Sequence, residues 1–155
     1  MNIPMKDNEG EELRSKILEE WQDSKSESTK SMSTVSIFKL QKDLLITLLT
    51  IKSIENFPRT YVGKPLIDDS IFLIRRDFSN LFRDAFRDKD SAEKLTKILK
   101  LEDILSEIDY VIQIAFKLDT NQTISLALIS NTIKYLGEIN TDLKRWESSV
   151  KKKIK

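Results

Sequence analysis

Apolar residues recur every three or four positions along most of this chain, and no stretch alternates apolar and polar as a strand does. Four long segments carry the helical period. The first runs from about Val35 to Ile54, with Phe38, Leu44, Leu45, Leu48, Ile51 and Ile54 on one wide apolar face. Ser33 or Ser36 is placed to cap its start. The second begins near Lys64-Pro65, where a proline suits the first helical turn, and continues to about Arg87. Its apolar positions are Leu66, Ile67, Ile71, Ile74, Phe78, Leu81, Phe82 and Ala85. The third starts after Asp88-Lys89-Asp90, with Ser91 as the expected N-cap. It runs to about Leu118 through Leu95, Ile98, Leu105, Ile108, Val111, Ile112 and Ala115. Its stripe drifts at Lys100-Leu101-Glu102, which predicts a local irregularity there. After a corner at Asp119–Thr123, the fourth reaches about Ser149 with Ile129, Ile133, Leu136, Ile139, Leu143 and Trp146 in phase.

The punctuation between these segments sets the topology. Pro58, in Phe57-Pro58-Arg59-Thr60-Tyr61, lacks a backbone N–H and restricts the residue before it, so the first helix closes by Asn56-Phe57. Short corners between consecutive helices make neighbours antiparallel. The expected fold is all-α, an up-down-up-down four-helix bundle over residues 35–150, followed by a basic tail at 151–155.

Ahead of the bundle lies an extension, residues 1–34, that is helical in part or disordered. Leu13, Ile17 and Trp21 form a narrow apolar stripe on a short helix at 10–23, with Glu11 and Glu12 in its first turn. Trp21 is either a clamp onto the bundle or a hot spot for a protein partner. Residues 24–34 are polar and serine-rich and read as a flexible linker.

Composition narrows the chemistry. Of 155 residues, 33% are charged, and three glycines and three prolines are too few for a loop-rich protein. The chain has no cysteine and no histidine, which removes disulfides, thiolate chemistry and the commonest metal ligand and general base. There is no glycine-rich phosphate cradle, nucleophile elbow or zinc spacing. A dimetal bundle site needs Glu-x-x-His pairs. The expectation is a protein that is not an enzyme and carries no metal or cofactor. Glu102-Asp103 and Asp68-Asp69 are assigned to helix starts or polar faces. No apolar run approaches a membrane span, and the N-terminus has no signal-peptide pattern, so a cytoplasmic location is expected.

The net charge is +1, unevenly spread. Residues 1–34 hold five basic and eight acidic side chains, and residues 130–155 hold seven basic and three acidic. The basic end fits a phosphate backbone, an acidic protein face or a solvated tail. On the second helix Arg75, Arg76, Arg83 and Arg87 alternate with Asp77, Asp84 and Asp88, which suggests surface pairing at helical spacing.

The corner Phe57-Pro58-Arg59-Thr60-Tyr61, preceded by Lys42-Asp43-Leu44-Leu45, together with Leu136-Gly137-Glu138-Ile139-Asn140-Thr141-Asp142-Leu143-Lys144-Arg145-Trp146, resembles the Avd-like four-helix-bundle proteins. These are the accessory variability determinants of diversity-generating retroelements. The resemblance covers residues 38–150 and leaves the N-terminal extension without a counterpart. It implies a non-catalytic bundle, assembled as a ring-like homopentamer, that binds a reverse transcriptase and its template RNA or DNA. The candidate binding residues are then Arg59, Arg75, Arg76, Arg83, Arg87, Lys144, Arg145, Lys151, Lys152 and Lys153, with Trp21 for a protein partner. The sequence departs from the family at Asp109 and Gln113, which stand where cations facing nucleic acid are frequent. Val62 replaces a frequent basic residue, and Lys144-Arg145 replace a glycine pair. The alternative is an oligomeric scaffold of the same fold that recruits proteins and binds no nucleic acid.

Overall fold

The computed structural model describes residues 35–54 and 63–154. They form four helices and, among the described residues, no strand. α1 is Val35–Lys52. α2 runs through residues 64–87 in three consecutive pieces, an α-helix Lys64–Phe72, a π-helical segment Leu73–Phe78 and an α-helix Ser79–Arg87. α3 is Ser91–Lys117 and α4 is Leu126–Lys151. α1 packs against α2 and α4, and α3 packs against α2 and α4, the closed square of an up-down-up-down bundle.

Each helix buries one stripe, and the stripes meet in a single core. On α3 the stripe is Ile98, Leu101, Leu105, Ile108, Ile112 and Ala115, a strict alternation of three- and four-residue steps. Leu101 takes a core position, so the expected irregularity at Lys100–Glu102 is absent and α3 stays α-helical throughout. Glu102 lies well inside that helix and is half-buried rather than at a helix start. α4 keeps the same rhythm through Ile129, Thr132, Leu136, Ile139, Leu143, Trp146 and Val150. Thr132 therefore holds the core place and Ile133 flanks it. The Thr132 hydroxyl is satisfied by donating to the Leu128 carbonyl at 2.8 Å.

On α1 the core residues are Ile37, Leu40, Leu44, Leu48 and Ile51. Phe38, expected inside, is one step out of phase and 41% exposed. It leans over the flank of α2, its ring edge-on to Phe82 at 4.5 Å. Ser36 sits inside α1, and its Oγ donates to the Asp142 carboxylate on α4 instead of capping its own helix. At α3 the N-cap is Asp90, one residue before the expected Ser91. Its Oδ1 accepts from the Ala92 N–H at 3.0 Å, closing one of the helix's free amide donors.

The irregularity that α3 lacks belongs to α2. Across Leu73–Phe78 the backbone bonds reach five residues back, and the Ser79 N–H reaches the Ile74 carbonyl. The buried stripe nonetheless runs through it in steps of three and four, Ile67, Ile71, Ile74, Phe78, Phe82 and Ala85, so Phe82 is fully buried and Leu81 only partly. The Ser79 hydroxyl also donates to the Ile74 carbonyl, at 2.9 Å, and accepts from the Gln41 amide of α1.

The corner between α3 and α4 is organised by the buried Asp119. Its carboxylate accepts from the Thr123 N–H at 3.0 Å, the Thr123 hydroxyl at 2.6 Å and the Ile124 N–H at 3.0 Å. Gln122 takes a positive φ of 53° to close the turn. Ser125 then caps α4 through the Leu128 N–H.

Candidate functional site

A cleft of about 440 Å³ lies between α1 and α2, lined by Lys52, Asp68, Ile71, Phe72, Arg75 and Arg76. Helical spacing builds it. Asp68, Phe72 and Arg76 are four residues apart and share one side of α2, while Ile71, one position behind Phe72, turns into the core as the cleft's apolar floor. Lys52 comes from the last turn of α1, where the helix dipole favours a cation. Its Nζ meets Asp68 Oδ1 at 2.6 Å and ties the two helices at this level. Both side chains stay about half exposed, so the pair contributes little to stability.

Phe72 is 55% exposed, and the Arg76 guanidinium lies over its ring at 5.1 Å from the centroid. A guanidinium held on an aromatic face in this way is a cation–π contact. Arg75 makes no ion pair among the described residues. With one carboxylate against three cations, the cleft is net positive. It borders the π-helical segment, which begins at Leu73 and contains both arginines. Such segments occur often at functional sites. The arrangement suits an anionic ligand with a planar or apolar part. It contains no nucleophile–base pair, and among the described residues no group of carboxylates is arranged to hold a metal.

The other sequence candidates do not join this cleft. Arg83 and Arg87 are exposed further along α2, about 12 and 18 Å from Arg75 at the helical rise. The expected pairing of the α2 arginines with Asp77, Asp84 and Asp88 does not form. Asp88 is taken by Lys97 of α3 at 2.7 Å, and that ammonium holds its carboxyl below the usual range. Lys144 is directed to α3, where its Nζ lies 3.1 Å from Glu102 Oε1. Burial pushes the Glu102 carboxyl up, Lys144 opposes that, and neighbouring Glu147 adds to it. Arg145 is half-buried and its charge acts on Asp142, whose carboxyl is raised mainly by burial and lowered by Ser36 and Arg145. Lys151 is 3.8 Å from Glu147, one turn back on α4, and Lys152 and Lys153 are exposed beyond the helix end. Because α2 and α4 run the same way, Arg87 and Lys151–Lys153 share one end of the bundle.

Arg59 with its corner, and Trp21, lie outside the described residues. Asp109 is 3% exposed and accepts from the Gln113 amide at 3.2 Å, so these two positions make a polar contact along α3 beside the exposed Tyr110. Sequence reasoning missed Lys52 and Phe72 as partners of Arg75 and Arg76. The Phe72–Arg76 spacing was a usable signal; the approach of Lys52 was not, because it depends on the level at which α1 meets α2.

Comparison with protein-family models, with curated proteins and with solved structures returned no match.

Proposed function

We propose that this protein is a non-catalytic binding bundle that works through the outer face of α1 and α2. On the resemblance to Avd-like proteins, its role is that of an accessory subunit of a diversity-generating retroelement, engaging the reverse transcriptase and template nucleic acid as an oligomer, with a homopentamer implied. The observation that carries a nucleic-acid role is Phe72 with Arg76 on its ring and Arg75 and Lys52 alongside. An exposed aromatic flanked by cations stacks a base and neutralises phosphate. Binding of structured RNA, followed by fluorescence anisotropy at ~50 mM salt where phosphate contacts are strongest, tests it. Binding that Arg75→Glu with Arg76→Glu weakens supports the reading. Absence of binding by the unaltered protein removes it.

A second reading, a scaffold that engages proteins and no nucleic acid, is favoured by a separate observation. Ile46, Leu49 and Phe72 are each about half exposed on the same two helices, and Lys144 is spent on Glu102. Light scattering of the purified chain bears on both readings, since a clean monomer removes the oligomeric assembly from each. Among the described residues no helix is long and apolar enough to cross a membrane.

A further inference from the structure

Lys52 is opposite Asp68, and Gln41 is opposite Ser79. Eleven residues of α1 thus match eleven of α2, and Leu49 falls level with Ile71 and Phe72. Phe38 and Lys52 both contact α2, and Leu49 shares their flank by helical phase. Ile46, one turn earlier, stands beside it on the outer side. At 52%, 49% and 55% exposure, Ile46, Leu49 and Phe72 make an apolar strip next to a net positive cleft.

The chain carries a segment of matching character. Residues 10–23 place Leu13, Ile17 and Trp21 on one stripe, and Glu19, Glu20 and Asp23 surround the tryptophan. The segment has five acids and two bases. Its length suits the strip, since Leu13 to Trp21 spans about 12 Å as a helix. Its tether suits it as well. Residues 24–34 reach at most about 40 Å when extended. Leu49 is about 21 Å along α1 from Val35, where the tether joins the bundle. We propose that segment 10–23 of this chain docks on its own α1–α2 face, its apolar stripe covering Leu49 and Phe72 and its carboxylates meeting Lys52, Arg75 and Arg76. The docking is independent of which outside partner uses that face.

Trp21 reports on this directly, because Trp146 is the only other tryptophan and lies in the core. The Trp21 emission is the difference between the full-length chain and its Trp21→Phe variant. The expected signal is blue-shifted from free tryptophan, protected from acrylamide and unchanged on dilution. Arg75→Glu with Arg76→Glu moves it to the free value, and adding Glu19→Lys with Glu20→Lys restores the blue shift. These sites are exposed or outside the bundle core, so the fold tolerates the changes, and far-UV circular dichroism checks that. Water-like emission in the unaltered chain overturns the proposal. So does a blue shift lost on dilution, which assigns the segment to a second copy, and so does one indifferent to the arginine changes, which places it elsewhere.

Discussion

Phe82→Ala tests how the bundle is assembled, because one ring joins three helices. Phe82 is fully buried and touches Phe38 of α1 at 4.5 Å and Trp146 of α4 at 5.5 Å, with Phe78 and Phe86 of its own helix at 6.3 Å each. A buried phenylalanine removes about 150–250 Å² from water, worth roughly 4–6 kcal/mol at ~25 cal/mol per Å². Alanine recovers part of this, and the cavity left among rigid rings adds to the cost, so the loss is expected at about 4 kcal/mol. For a domain of this size that lowers the midpoint of thermal unfolding by roughly 8–16 °C. Phe86→Ala is the control. Phe86 lies next to the same rings but is 44% exposed, so its loss is expected at roughly 1–2 kcal/mol. Denaturant unfolding followed by circular dichroism measures both, and Trp146 fluorescence gives a second probe inside the same cluster. A Phe82→Ala loss below ~1.5 kcal/mol, or one equal to that of Phe86→Ala, refutes the argument. Either result means that Phe82 is not the ring that joins α1, α2 and α4.

Three further outcomes are expected. Asp90→Ala lowers stability by about 1 kcal/mol while Ser91→Ala changes it by less than ~0.5, read from the same denaturation curves, because Asp90 holds the Ala92 N–H. Glu102 and Asp142 have carboxyls raised by burial, so their stabilising contribution is full below their ordinary pKa values of 4.5 and 3.8. It is lost as pH rises through the raised ones. Glu102→Gln therefore raises stability at pH 7 and leaves it unchanged below about pH 4.5, and a gain at acid pH alone refutes the assignment. For RNA binding, Arg75→Glu with Arg76→Glu is expected to flatten the slope of log affinity against log salt by about 1.4–1.8, or roughly 0.7–0.9 per lost phosphate contact, measured by a salt titration.

The four helices were legible because the apolar residues keep one period over long runs, and the described corners carry their own signals in Asp88–Asp90 and Asp119. What escaped the sequence depends on small phase differences. Phe38 and Ile37 are adjacent and both apolar, and only Ile37 keeps the three- and four-residue steps of Leu40, Leu44, Leu48 and Ile51. The step at α3 was misread because Leu101 was left out of the stripe. The π-helical turn in α2 was overlooked, because the apolar stripe passes through it in ordinary steps of three and four. The cleft was partly visible as arginines on α2. Its cation from α1 was not, since the approach of Lys52 does not follow from spacing within one helix.

The π-helical segment makes α2 a spliced rod. The half bearing Asp68 and Phe72 precedes it, the segment itself carries Arg75 and Arg76, and the half bearing Phe82, Arg83 and Arg87 follows. Deleting one residue within Leu73–Phe78 would be absorbed by a return to α-helix, whereas deleting one elsewhere in α2 would turn one half relative to the other by about 100°. The ring cluster and the cleft could then no longer both face α1. The cleft and the ring cluster are thus joined by a turn of helix that can lose a residue without turning either of them away from α1.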